Sequence, residues 1–126
     1  MPSYLIDTNF YLRLLLNDIP AQAKTVSKYF DNARSGELEI IFLTEVLIEV
    51  AHVLRTRYKT DRKQIAQIFL DLVNTPYITL PDRDIILDVA VLYAKTNIDL
   101  VDLILIVRAE NEGKQILTFD KGIISS

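Results

Sequence analysis

The residues of this sequence whose types and spacing could do chemistry are five carboxylates in apolar surroundings: Asp7, Glu49, Asp99, Asp102 and Asp120. Asp7 closes the run Tyr4-Leu5-Ile6, and Glu49 stands between Ile48 and Val50. Asp99 and Asp102 precede the most apolar stretch, Leu103–Val107, and Asp120 follows Gln115–Phe119. Carboxylates that converge on one small site repel each other, and such clusters are stable when a divalent cation neutralises them. The chain has no cysteine and one histidine, His52. A thiolate or multi-histidine centre is therefore excluded, and oxygen donors select a hard ion, Mg2+ or Mn2+. The chemistry such an ion supplies is activation of a water for attack on a phosphodiester, with stabilisation of the leaving oxygen.

Each acid also has a purely structural reading. Asp99 and Asp102 could cap a helix and complement its dipole. Asp120 could be a turn residue. Glu49 could face solvent, and Glu45, one turn earlier, competes with it for any helix-borne role. Asp7 is harder to dismiss, because a carboxylate joined to a buried strand needs partners. His52 reads as a helix-surface histidine three residues beyond Glu49. Arg55, Arg57, Lys59, Arg62 and Lys63 form a basic stretch that is either a solvated helix junction or a contact for phosphates.

The elements that must position these acids follow from patterning. Short apolar runs at Tyr4–Ile6, Leu38–Leu43, Tyr77–Leu80 and Gln115–Phe119 predict four strands. Helices are predicted over 9–16, from Pro20 to about Ser35 with Gly36 as its stop, and after Thr44 with a stripe of Leu47, Val50, Ala51, Leu54 and Tyr58. Another opens at Thr60 or Asp61 and ends at Pro76, and Asp82 caps the next. Residues 98–112 have strand-like composition, but Asp99-x-x-Asp102 before them and Gly113 after them predict a fully buried helix. Strands alternating with helices imply a parallel sheet covered by helices. In such folds the carboxyl ends of the strands and the helix starts after them share one edge, where ligands bind. Asp7, Asp99, Asp102 and Asp120 map to that edge, and Glu49 lies about one turn in from it.

The bulk numbers agree. A chain of 126 residues suits one domain over 1–126 with a real core. At 50% hydrophobic residues it is not a disordered chain. No signal peptide and no membrane-spanning run is apparent, so a cytoplasmic protein is expected. The net charge is -3, from 14 Lys+Arg and 17 Asp+Glu, which argues mildly against nucleic acid. Setting Asp7, Glu49, Asp102 and Asp120 aside as metal ligands leaves 13 acids against the 14 bases.

Leu5-Ile6-Asp7-Thr8-Asn9, Thr44-Glu45-Val46-Leu47-Ile48-Glu49-Val50 with Leu54, Asp99-Leu100-Val101-Asp102 and Leu117-Thr118-Phe119-Asp120-Lys121 resemble, in order and spacing, the motifs of the PIN domain. The likeness covers essentially the whole chain and is nearest to the VapC-type toxins of toxin–antitoxin pairs. It implies a three-layer α/β/α fold, Rossmann-like, with a central parallel sheet of four to five strands. It also implies a Mg2+- or Mn2+-dependent endoribonuclease. By position, Asp7, Glu49 and Asp102 match the core metal-binding acids, Asp120 the fourth and more variable one, and Asp99 a position that is often acidic. Thr8, Asn9 and Thr118 match polar positions that support the acids. The implied partners are an RNA substrate, a cognate antitoxin and a second copy of the chain. Two other readings of the acids remain at this stage, a non-catalytic PIN-like scaffold and a receiver-type phosphoacceptor domain.

Overall fold

The first two apolar runs pair in parallel. β1 (Ser3–Leu5) lies beside β2 (Glu39–Ile41), with Ser3 opposite Glu39 and Leu5 opposite Ile41. β3 (Ile78–Thr79) adds to the other side of β2, Ile40 opposite Ile78. The order is therefore β1-β2-β3, all parallel, in a computed structural model that describes residues 1–120. Parallel neighbours require long crossovers. These are α1 (Thr8–Leu16) and α2 (Pro20–Arg34) between β1 and β2, then α3 (Thr44–Tyr58) and α4 (Arg62–Val73) between β2 and β3. α5 (Arg83–Lys95) and α6 (Leu100–Glu112) follow.

The helix boundaries are set by local chemistry. Pro20 occupies the first turn of α2, where its missing N–H costs nothing. Asp61 accepts the N–H of Gln64 at 2.8 Å and opens α4. Gly113 ends α6 in the left-handed region at φ 65°. Lys59 closes α3 in the same region at φ 53°, without glycine's freedom.

The core forms where the sheet meets these helices. Phe42, Phe69 and Tyr93 are fully buried beside Ile40, Leu47 and Val50. The rings of Tyr11 and Phe42 meet edge-on with centroids 4.7 Å apart. Burial, and secondarily the charge of Asp71, pushes the Tyr11 hydroxyl well above the usual tyrosine range, so it stays protonated. Two arginines stitch elements together. Arg83, at the start of α5, donates to the carbonyls of Val73 and Ile78, so it satisfies the end of α4 and binds it to β3. Arg62, at the start of α4, stacks 3.7 Å over the Tyr93 ring and donates to the carbonyls of Tyr93 and Ile98.

The structure differs from the sequence reading at four places. Residues 98–112 are helical as expected, but α6 is not fully buried: Val101 and Leu105 are 43% and 44% exposed. The helix is apolar on more of its circumference than the core covers. Tyr58, assigned to the core stripe of α3, is exposed, because it lies in the last turn, beyond the packed residues. Thr44 is not the cap of α3; Leu43 holds that position, and the Thr44 hydroxyl is engaged elsewhere. Finally, three strands are assigned among the described residues, where four to five were expected. Gln115–Phe119 joins no ladder, and Leu117 and Phe119 stand fully exposed. Only Ile116 of its apolar side chains is half-buried, and burial is what holds a short strand to a sheet. Among the described residues no helix is long and apolar enough to cross a membrane.

Candidate active site

The parallel sheet sends the chain from the ends of β1 and β2 into the starts of α1 and α3. Asp7 lies two residues past β1 and caps α1, its Oδ1 accepting the N–H of Phe10 at 2.8 Å. That bond fixes the carboxylate at the helix start and engages one of its two oxygens. Thr8 follows it and is the buried polar residue of the core, while Asn9 is exposed. Glu49 stands in the second turn of α3 and is exposed, as is Glu45 one turn earlier.

The N-terminal turn of α6 carries the other acids. Asp99 occupies the cap position, yet its side chain makes no capping hydrogen bond. The capping account therefore does not explain this carboxylate. Asp102 lies one turn on and is half-buried. Burial, and then the negative charges of Asp99 and Asp120, hold the Asp102 carboxyl above the usual carboxylate range. Three of the five acids predicted from sequence thus share one electrostatic field, although Asp120 comes from the segment after α6. Thr118 helps to place it, since its Oγ1 accepts the N–H of Asp120 at 2.9 Å. Lys121, the last residue of that motif, lies outside the described residues.

The convergence is partial. Among the described residues, no three acids come close enough to form a ready metal cage. Asp7 and Glu49 lie on other elements, at the start of α1 and in the second turn of α3. The donor set itself, all carboxylate oxygen, fits a hard divalent cation.

Sequence reasoning missed a polar centre on this edge. Asp82, just past β3, was assigned to capping α5, and it does hold the cap position but makes no side-chain cap bond. Its carboxylate instead accepts from the Thr44 hydroxyl at 2.6 Å and from Arg108 of α6 at 2.8 Å. The hydrogen bond from Arg108, followed by that from Thr44, holds the Asp82 carboxyl below the usual range. The available signal was the same as for Asp7, an acid just past an apolar strand. The two outcomes differ instructively. Asp82 is balanced by a guanidinium, whereas the charges that shift Asp102 are both negative.

With this geometry in place, comparison with known families is decisive for the fold. The chain matches the model of the PIN domain over residues 4–125. It belongs to the PIN domain family. PIN domains are generally nucleases and typically bind Mg2+ or Mn2+, which accords with an acid-bearing edge on a parallel α/β sheet. No curated protein and no solved structure matches the chain.

Proposed function

We propose that this PIN domain is a metal-dependent endoribonuclease that hydrolyses RNA phosphodiester bonds, acting in the cytoplasm as the VapC-type toxin of a type II toxin–antitoxin pair. The observation that carries the reading is that the half-buried Asp102 lies within reach of the negative charges of Asp99 and Asp120. A set of oxygen donors of this kind suits a hard divalent cation, whereas Asp82 is already paired with Arg108.

A divalent ion would supply the charge that activates water and stabilises the leaving oxygen. The chain's own contribution is positional. Asp7, Glu49 and Asp102 would hold the ion, and Asp120 and Asp99 would complete the site. The Phe10 N–H orients Asp7, and the Thr118 hydroxyl orients the loop of Asp120. Thr8 and Asn9 support Asp7 from the first turn of α1. A cognate antitoxin covers the edge by presenting a basic residue to the acids, and the chain acts as a homodimer.

The test is cleavage of RNA with Mg2+ or Mn2+ by the wild type and by Asp102→Asn, paired with melting curves. The substitution removes repulsion, so it leaves the fold intact and should raise Tm slightly in chelator, while abolishing cleavage and the cation-induced rise in Tm. A cation-induced rise that survives in Asp102→Asn, together with full cleavage, contradicts the assignment. That no three acids are gathered among the described residues is the observation that favours the other reading, a binding scaffold without catalysis. That reading predicts no cation-dependent cleavage by the wild type.

A further inference from the structure

Glu49 and Asp102 stand on two helices that are not each other's main packing partners. α6 packs chiefly on α5, while α3 packs chiefly on α1 and α4. Something other than broad helix-on-helix packing must therefore set how α3 lies relative to α6. The polar centre at Asp82 spans that gap. Its Oδ2 accepts from the Thr44 hydroxyl, in the first turn of α3, at 2.6 Å and from Arg108 of α6 at 2.8 Å. The second Arg108 nitrogen reaches Oδ1 at 3.3 Å, so the guanidinium meets the carboxylate as a fork. A two-point contact of this kind fixes direction as well as distance.

A second contact gives the sense in which the two helices run. Farther along α3, Ile48, Ala51 and His52 share a small cavity with Asp99, Leu100 and Val101 at the start of α6. Moving forward along α3 therefore means moving backward along α6, so the helices are antiparallel. Glu49 lies five residues beyond Thr44, about 7.5 Å along α3, and Asp102 lies six residues before Arg108, about 9 Å along α6. The two acids thus stand at nearly the same height above the Asp82 bridge. A slide of one helix turn would take them out of line, and a metal or catalytic constellation tolerates only about 0.5 Å of misplacement.

We propose that Asp82 is a positioning residue for the cation site: through Thr44 and Arg108 it sets the register of α3 on α6, and with it the separation of Glu49 from Asp102. The proposal rests on the ribonuclease reading for the ion, and it adds a residue that acts through the two helices and not on the ion itself.

Two readouts separate positioning from plain stability. The chain has no cysteine, so spin labels on Arg57→Cys and Glu110→Cys, both exposed positions, report the distance between α3 and α6 without any ion. Measured by pulsed EPR in chelator, that distance should shift or broaden in Asp82→Asn and, to a lesser degree, in Thr44→Val. Thr44→Ser keeps the hydroxyl and should match the wild type. The second readout is Mn2+ affinity, followed by the EPR signal of free Mn2+ at a temperature where every variant is folded. Asp82→Asn should bind Mn2+ about tenfold more weakly, the low end for residues that orient metal ligands. Raising Mn2+ should then restore most of its cleavage. If Asp82→Asn does not fold, Thr44→Val carries both comparisons. A lower melting temperature with wild-type distances and wild-type Mn2+ affinity overturns the proposal. The two readings fail separately. Mn2+ binding that is equal in the wild type and the variants sinks the positioning role alone. A wild type that binds no Mn2+ sinks the nuclease reading and the role with it.

Discussion

The chemistry of this chain turns on which carboxylates have a partner of opposite charge. Asp82 has one in Arg108, and its lowered pKa makes the pair a pH-dependent contribution to stability. A carboxyl whose folded value lies below its unfolded value stabilises the fold fully above the ordinary aspartate value of about 3.9, and that contribution fades as pH falls through the folded value. Arg108→Met should therefore lower Tm at neutral pH and make the acid limb of a Tm-against-pH curve shallower than in the wild type; Thr44→Val should do so to a lesser degree. Superimposable acid limbs in all three proteins would show that the pair carries no stability. Asp7 serves two purposes, helix cap and candidate ligand. Asp7→Asn keeps an acceptor for the Phe10 N–H, so it should fold while losing cation-dependent cleavage. The individual acids were legible in the sequence because each interrupts or ends an apolar run. The partnership of Asp82 with Arg108 was not, since the two lie on different elements and neither position has a pattern of its own.

At the scale of elements, helix stops and starts were the most legible features, because proline, glycine and aspartate act through local backbone geometry. Pro20, Gly36, Asp61 and Gly113 all act where the sequence placed them. Gly113→Ala should cost about 1 kcal/mol from its left-handed backbone alone, because nothing lies within 4 Å of the added methyl. Less legible were the elements that depend on tertiary packing. α6 has the composition of a strand, and its two exposed aliphatic residues follow from which side the core covers. Gln115–Phe119 has strand-like composition as well, but pairing depends on a neighbouring edge, which composition does not encode. Arg83 looked like an ordinary polar residue in a helix start, yet it binds the carbonyls that end α4 and those of β3. Arg83→Met keeps the aliphatic stem and removes these bonds. It should lower stability by about 1.5–3 kcal/mol, the worth of hydrogen bonds from a charged donor, read as a lower urea midpoint at unchanged m-value.

For the molecule as a whole, the net charge of -3 misleads as a guide to partners. Arg55, Arg57, Lys59 and Lys63 are exposed together at the α3–α4 junction, so a net negative chain still carries a local basic surface. Arg62, from the same stretch, is engaged within the fold. The junction thus offers four cations to a polyanion and not five. Replacing Arg57 and Lys63 with alanine should weaken RNA binding and reduce the log–log salt slope by roughly 0.7 for each single-strand phosphate that is no longer neutralised. Binding and slope unchanged by both substitutions would assign the junction to solvent. The fold class was legible because strand and helix signals alternate along the chain. The expectation of an acid edge came from the rule that parallel α/β topology brings strand ends together whatever the sequence between them.

The central claim is that these acids bind a divalent cation to cut RNA. The most direct measurement compares RNA cleavage in Mn2+ and in chelator for the wild type and Asp7→Asn, with the fold of the variant confirmed by its melting curve. The wild type should cleave with Mn2+ only, and a folded Asp7→Asn protein should not cleave at all. Cleavage by the wild type in chelator, or undiminished cleavage by Asp7→Asn, would contradict it.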